Sequence, residues 1–478
     1  MSHPLIETDR SQHAIPVHLV DKKSWPALAA TLPSPASAFA KAKGFSPRPG
    51  EHCILPDETG AIACVVFGIE GASARHRDSF LVGKLPKLLP GGLYTIPEAD
   101  AQTALAWLLG SYAFDRYRGK GGATSGEKSG EDGDKNHDMH DKAVRLLVPE
   151  DVDTGEVARI ARAVCLGRDL INTPANDLGP EQIAAVATEL AHRHGALIRV
   201  IEGDELLVQN FPMIHAVGRA SPRAPRLIDI TWGRDDAPKV TLVGKGVAFD
   251  TGGLNVKPGS SMTLMKKDMG GAAAAIAAAD MIMGAGLNLR LRLLVPAVEN
   301  AIDGSAFRPG DILDSRKGLT VEIGNTDAEG RLILADALAL ADEEEPDLVI
   351  DFATLTGSAR VALGPDLPPF MTDDDALAAD LDRLGEAVND PVWRLPLWRP
   401  YEAMLRSKIA DINHISGGSF AGSITAALFL RRFVEKAKSH VHFDIYGWVP
   451  SARPGRPEGG EPQAARLVYA LLGERYPA

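Results

Sequence analysis

From residue 226 onward, short runs of almost wholly apolar, Val/Ile/Leu-rich sequence alternate with longer stretches of helical character. The apolar runs are RLIDITW (226–232), KVTLVGKGVAF (239–249), LRLRLLVPAV (289–298), DLVIDFATL (347–355) and SHVHFDIYGW (439–448). Between them lie AAAAIAAADMIMGAG (272–286), RLILADALALADEE (331–344) and ITAALFLRRFVEKA (424–437). A strand with one wet face alternates apolar and polar residues, so near-continuous apolar strands are buried on both faces. Their alternation with helices predicts an α/β architecture around a mostly parallel central sheet. Ligands of such sheets gather outside the strand carboxyl ends. Here KVTLVGK delivers Lys245 and Asp250 to that edge, and DLVIDFATL delivers Thr354, Thr356 and Gly357.

A chain of 478 residues exceeds one ordinary core. CILP (53–56), IACVVFGI (62–69) and GLYTI (92–96) read as strands and 99–117 as a helix, which predicts a small N-terminal α/β domain over 1–150. Residues 119–142, almost wholly Gly, Ser, Asp, Glu and Lys, cannot bury enough apolar surface to offset their ordering entropy and read as a mobile loop. His137, Asp138, His140 and Asp141 in it read as a solvated charge run. AVRLLVPE (143–150) reads as a strand and 157–173 as a helix stopped by Pro174, with another helix opening at Pro180. A linker helix over 151–168 and a larger catalytic α/β domain over 169–478 complete the expected organisation.

The net charge of −12 disfavours nucleic acid or an anionic membrane as the main partner. Cys53, Cys64 and Cys165 lack metal-ligand spacing and read as reduced thiols of a cytoplasmic protein. No basic start followed by an apolar run marks a secretory signal, and no apolar run approaches the length of a membrane span.

Two charged segments stand out. VGKGVAFDTGGLNVKPGSSMTLMKKDM (243–269) carries Lys245, Asp250, Lys257 and Asp268, each beside a glycine, a proline or a turn. NTDAEGRL (325–332) packs Asp327, Glu329 and Arg331 around Gly330 and runs into an apolar helix. Taken singly, Asp327 or Glu329 would cap that helix and Lys245 would be a solvated strand-end cation. Taken together, four carboxylates in Gly-rich turns beside the most apolar parts of the chain require compensating cations, and two dications supply them. Lys245 then fits as a neutral amine ligand, its proton displaced by the ions, while Lys257 and Arg331 remain for anions formed in the reaction. An oxygen-rich donor set without Cys or His suits Mn, Mg, Co or Zn, and the segments predict a two-metal hydrolytic site. The rival chemistries lack their motifs: no G-x-S-x-G precedes a helix, no H-E-x-x-H occurs, and Gly244 and Gly246 lack the third glycine of a dinucleotide loop. His440 and His442 alternate with apolar residues on a strand and read as buried, satisfied histidines.

NTDAEGRL, together with VGKGVAFDTGGLNVK and MKKDMGG at the same internal spacing, resembles the signature segments of the leucyl (cytosol) aminopeptidase family. DLINTPANDLGP (169–180), DFATLTG (351–357) and GGSFAGSITAALFLRRFV (417–434) are similar to further family blocks. The resemblance implies that Asp250 and Glu329 bridge two metals, that Lys245 and Asp268 complete one site and Asp327 the other, and that Lys257 and Arg331 are catalytic. It implies that Met265, Asn325, Gly330, Leu332, Thr354, Thr356, Gly357 and Tyr446 shape the site around substrate or a small anion. It further implies release of the first residue from peptides with a free N-terminus, a bicarbonate at Arg331, and a homohexamer assembled through the catalytic domains. Asp444-Ile445-Tyr446-Gly447 departs from the family's D-I-A-G, placing a bulky ring where a small residue usually lines the substrate pocket.

Overall fold

The computed structural model describes residues 3–75, 77–118 and 143–478; the loop expected over 119–142, with His137 and His140, lies outside the described residues. The chain divides into two compact units, Met1–Arg162 with Ser451–Pro457, and Ala163–Pro450 with Glu458–Ala478. The division falls inside the helix Thr154–Asn172, within the stretch expected to serve as a linker.

The first unit is built on a six-stranded sheet of β1 (Ile6–Glu7), β2 (Ile15–Val20), β3 (His52–Pro56), β4 (Ile62–Gly68), β5 (Gly92–Thr95) and β6 (Val144–Leu147), in the order β1-β6-β5-β2-β4-β3. Only the β3–β4 pair is antiparallel. Val65, Val66 and Phe67 of β4 are fully buried, as the apolar run IACVVFGI requires. The helix expected over 99–117 occupies only Ala101–Ser111, opened by the Asp100 carboxylate, which accepts from the Thr103 N–H at 2.8 Å. Beyond it residues 112–118 are half-exposed or exposed, so further turns would have no face to bury.

The second unit is built on a nine-stranded mixed sheet. In chain order it comprises β7 (Leu197–Glu202), β8 (Arg226–Trp232), β9 (Lys239–Gly244), β10 (Gly246–Asp250) and β11 (Arg290–Asn300). A small separate sheet takes β12 (Ile312–Asp314) and β13 (Thr320–Glu322), and the main sheet continues with β14 (Leu348–Ala353), β15 (Pro369–Met371) and β16 (Trp393–Arg394). β17 (Ile412–Asn413) joins the small sheet and β18 (His440–Asp444) the large one, whose order is β16-β15-β18-β14-β9-β11-β8-β7 with β10 added to β11. The central pairings β18–β14, β14–β9 and β9–β11 are parallel, as the apolar strands predicted, and β7 and β8 run antiparallel at one margin. Every residue of β14 is buried.

Helix Gly270–Ala285 packs against Pro180–His194 and Ala465–Arg475, and helix Glu329–Asp342 packs against Pro212–Gly218 and Gly422–Arg431. The poly-alanine face of Gly270–Ala285 lets it approach the sheet so closely that a Cβ on Gly271 would stand 2.1 Å from the Phe352 carbonyl oxygen. The helix expected over 424–437 ends at Arg431. The N–H groups of Glu435, Lys436 and Ala437 donate instead to the Asp342 carboxylate at 2.8–3.0 Å, and that competition stops the helix.

Candidate metal centre

β9 and β14 lie side by side and parallel, so their carboxyl ends bring Lys245 and Thr354 together. The Lys245 ammonium donates to Thr354 O at 3.0 Å and to Asp268 Oδ2 at 2.6 Å, and it lies 3.1 Å from Glu329 Oε1. To reach them the side chain crosses the first turn of helix Glu329–Asp342 at Gly330, where a Cβ would meet Lys245 Cε at 2.3 Å. Glycine at that place in NTDAEGRL is therefore a steric requirement of the lysine 85 positions earlier in the chain.

Asp250 ends β10, which departs from regular pairing with β11 between Val247 and Asp250, so that Asp250 falls opposite Asn300. Asn300 Nδ2 donates to Asp250 Oδ1 at 2.8 Å and Thr326 O at 3.1 Å, and lies 3.5 Å from Glu329 Oε2. The two charged segments are pinned to each other by a reciprocal exchange: Asn255 N–H donates to Thr326 Oγ1 at 2.8 Å, and Thr326 N–H to Asn255 Oδ1 at 2.9 Å. Asn325 caps the turn Thr326–Ala328, its Oδ1 accepting from Asp327 N–H at 2.8 Å. Asp268 sits in the 3-10 turn Met265–Met269, its Oδ1 accepting from Thr354 Oγ1 at 2.8 Å.

Asp250, Asp327 and Glu329 each offer an oxygen within 4.8 Å of the others. Lys257 lies against two of them, 2.7 Å from Asp250 Oδ2 and 2.5 Å from Asp327 Oδ1. Burial, reinforced by Asp250, pushes the Asp327 carboxyl up to about 6 and the Glu329 carboxyl up to about 7. Burial likewise raises Asp268. Burial opposes the charge on both lysines, yet the surrounding carboxylates outweigh it and hold Lys245 and Lys257 above the ordinary lysine range. Four carboxylates against two ammoniums leave two negative charges in a buried space, and the elevated carboxyls are how that excess is expressed. Oxygen donors of this number and burial fit divalent cations.

These groups border a cavity of about 360 Å³. Lys245, Asp250, Lys257, Asp268, Asp327 and Glu329 all face it, with Met265, Gly330, Thr354, Thr356, Gly357 and Tyr446. Three expected site residues do not. Leu332 is fully buried in the apolar core, because two residues beyond Gly330 a helix has turned by about 200°. Asn325 acts as a cap, its side-chain Oδ1 accepting from the backbone N–H of Asp327. Arg331 is buried outside the cavity lining, its Nη1 donating to the His414 carbonyl oxygen at 2.7 Å, while Nε has no hydrogen-bond partner among the described residues.

Several residues of the site were given no role by the sequence. Asn300 is one, a lone amide at the end of an apolar strand. His414 is another: fully buried, pushed down to about 3 by burial and by the Arg331 charge, it is a neutral imidazole. It bridges Asn325 O at 2.9 Å and Gly324 N–H at 3.2 Å. Asp444 organises the end of β14, accepting from the N–H groups of Leu355 and Thr356 at 3.1 and 3.0 Å and from Ser423 Oγ at 2.9 Å. Lys267 and Arg360 also line the cavity. Burial pushes Lys267 down to about 7. Away from the site, His440 and His442 flank the buried Asp351 carboxylate at 2.8 and 2.5 Å, although among the described residues His442 Nε2 keeps no hydrogen-bond partner.

Comparison with known proteins bears on these observations. Residues 165–469 match the model of the cytosol aminopeptidase family, catalytic domain, and residues 15–125 match that of the M17 aminopeptidase, N-terminal domain. A probable cytosol aminopeptidase of Roseiflexus castenholzii is 44% identical over 339 residues, covering 68% of this chain and 69% of the relative. The crystal structure of the cytosol aminopeptidase from Coxiella burnetii superposes with a TM-score of 0.90 at 43% identity, over 99% of this chain and 100% of that one. The bottromycin maturation enzyme BotP, solved in complex with Mn, superposes with a TM-score of 0.82 at 32% identity, over 96% and 100%. With both domains matched in sequence and the backbone matched throughout, the chain belongs to the cytosol aminopeptidase family, a family of peptidases.

Proposed function

We propose that the chain releases the first amino acid from peptides with a free N-terminus, using two divalent cations held by Lys245, Asp250, Asp268, Asp327 and Glu329. The observation that carries this reading is the convergence of Asp250, Asp327 and Glu329 within 4.8 Å in a buried, charge-deficient cavity. Asp250, Glu329, Lys245, Asp268 and Asp327 are the residues that would hold the two ions. Lys245 then serves as a neutral amine. Bound there, the ions supply polarisation of the scissile carbonyl and a water acidic enough to react near neutral pH. Mn is the first choice because BotP was solved with it, with Zn next and Mg or Co as weaker substitutes.

The chain's own groups do the rest. Asn300 fixes the orientation of Asp250 and steadies Glu329, as partners behind the ligands of a metal site do. Lys257, on the cavity wall, supplies preorganised positive charge for the oxyanion that develops when the peptide carbonyl is attacked. Arg331 keeps a buried Nε–H without a partner, a donor that a small anion such as bicarbonate would satisfy. Thr354 and Asp444 hold the strand end against which the substrate lies. Among the described residues no helix is long and apolar enough to cross a membrane. The relatives' printed name, cytosol aminopeptidase, supports a cytoplasmic location, and a homohexamer is the assembly proposed.

The test is to strip the protein with a chelator, resupply Mn, Zn, Co or Mg, and measure both metal per chain and release of p-nitroaniline from amino-acid anilides. Two ions per chain and activity restored only with metal are expected. Full activity of the stripped protein would overturn the reading. Sedimentation in the same buffers checks the hexamer, and a monomer at working concentration would exclude it.

A further inference from the structure

Tyr446 occupies the cavity wall with cations against its ring. Lys267 Nζ lies 4.0 Å from the ring centroid and the Arg360 guanidinium 5.2 Å from it. The Lys267 ammonium also donates to the Tyr446 carbonyl oxygen, which fixes it beneath the residue. Lys267 is only 5% exposed, whereas Arg360 is exposed in the last turn of helix Gly357–Leu363.

The cations at this wall are not paired with the carboxylates of the cavity. Asp268 and Glu329 are engaged by Lys245, and Asp250 and Asp327 by Lys257. Among the described residues neither Lys267 nor Arg360 has a carboxylate within 4.0 Å, and the Tyr446 hydroxyl makes no hydrogen bond. An aliphatic side chain seated here would cover the exposed Arg360 guanidinium and offer neither cation a hydrogen-bond acceptor, which is costly. A carboxylate would accept from both, and from the phenol, as charge-assisted hydrogen bonds. The ring also removes volume that a long aliphatic side chain would need.

We infer that the Lys267–Tyr446–Arg360 wall receives the side chain of the first residue and selects aspartate or glutamate there. This rests on the aminopeptidase reading above and names its substrate class. Free energy from a charged hydrogen bond of this kind corresponds to roughly tenfold to hundredfold in rate.

The experiment compares kcat/KM for Glu-, Gln-, Leu- and Lys-p-nitroanilide, none of which carries a terminal carboxylate, using the full-length Mn-loaded protein. Wild type is expected to favour Glu over its isostere Gln by about tenfold or more. Arg360→Gln and Lys267→Gln should each reduce that ratio severalfold, and the charge reversal Arg360→Glu should shift preference toward Lys-p-nitroanilide. Arg360 is exposed, so its variants report on selectivity with the fold intact. Equal rates on Glu and Gln overturn the inference while leaving the aminopeptidase reading standing. A Glu/Gln ratio unmoved in both single variants overturns the assignment to this wall. Failure to release any first residue, with metal bound, overturns the aminopeptidase reading and the selectivity with it.

Discussion

Gly330→Ala puts the proposed centre under a narrow test. The new methyl carbon would stand 2.3 Å from Lys245 Cε, 2.7 Å from Cδ and 2.9 Å from Nζ. Carbon atoms ordinarily approach to about 3.5–4.0 Å, so the lysine end must retreat by about 1.3 Å. It has nowhere to go without loss, because its ammonium is held by Asp268, Thr354 O and Glu329 in a nearly sealed position. Folding has little to lose, since alanine is favoured over glycine in a helix by about 1 kcal/mol and overpacking costs about 1–3 kcal/mol. The net change in unfolding free energy should stay within about 2 kcal/mol. Chemistry is less forgiving, as a displacement of about 1 Å costs on the order of a hundredfold. The expected variant therefore melts near the wild-type temperature, binds Mn more weakly and loses about two orders of magnitude in kcat/KM on an amino-acid anilide. A metal-loaded Gly330→Ala protein within about threefold of wild type would refute the claim that Lys245 must sit where it does.

Lys257→Ala should reduce kcat by about a hundredfold or more while metal per chain stays unchanged, measured by elemental analysis beside steady-state kinetics. Asn300→Leu removes the donor behind Asp250, and metal affinity should fall about tenfold to a hundredfold in a competition titration, with kcat at saturating metal affected less. A pH series should expose the Asp351 cluster. Burial opposes charge on His442, but Asp351 outweighs it and lifts the imidazole above its usual 6.5, while the same pairing holds Asp351 below its usual 3.8. The raised histidine stabilises the fold fully below 6.5 and less as pH climbs through its elevated value; the lowered aspartate stabilises above 3.8 and less as pH falls. Chemical unfolding between pH 5 and about 9 should thus show stability falling on the alkaline side, and Asp351→Asn should flatten that slope and cost about 3–5 kcal/mol near pH 6. A slope unchanged in the variant would assign it to other groups.

The sheet was legible because burial on both faces writes itself into a strand as a mostly apolar run, and β9, β11 and β14 carry that mark, whereas β18 alternates His440 and His442 with apolar residues. The ligand candidates were legible because charge in Gly-rich turns beside such strands is conspicuous. Asn300 was not, since its meaning depends on the irregular β10–β11 pairing that sets it opposite Asp250. His414 was hidden for the same reason: its partners, Gly324 and Asn325, are some 90 positions away and bond through backbone atoms that any residue would supply. Leu332, which the resemblance grouped with the site, lies instead in the core, because the helix has already turned it away from Gly330. The early end of the helix after Gly422 depended on the Asp342 carboxylate, which lies on another element.

The exchange between Asn255 and Thr326 spans 71 positions of the chain, and Asn300 ties in a third stretch. No early folding intermediate that has closed only local contacts can assemble this chelate. On the proposed two-ion reading, ion capture would come only after β9, β10, β11 and β14 have docked. On that reading, a chain with one of those strands out of place would hold no ions and carry no peptidase activity.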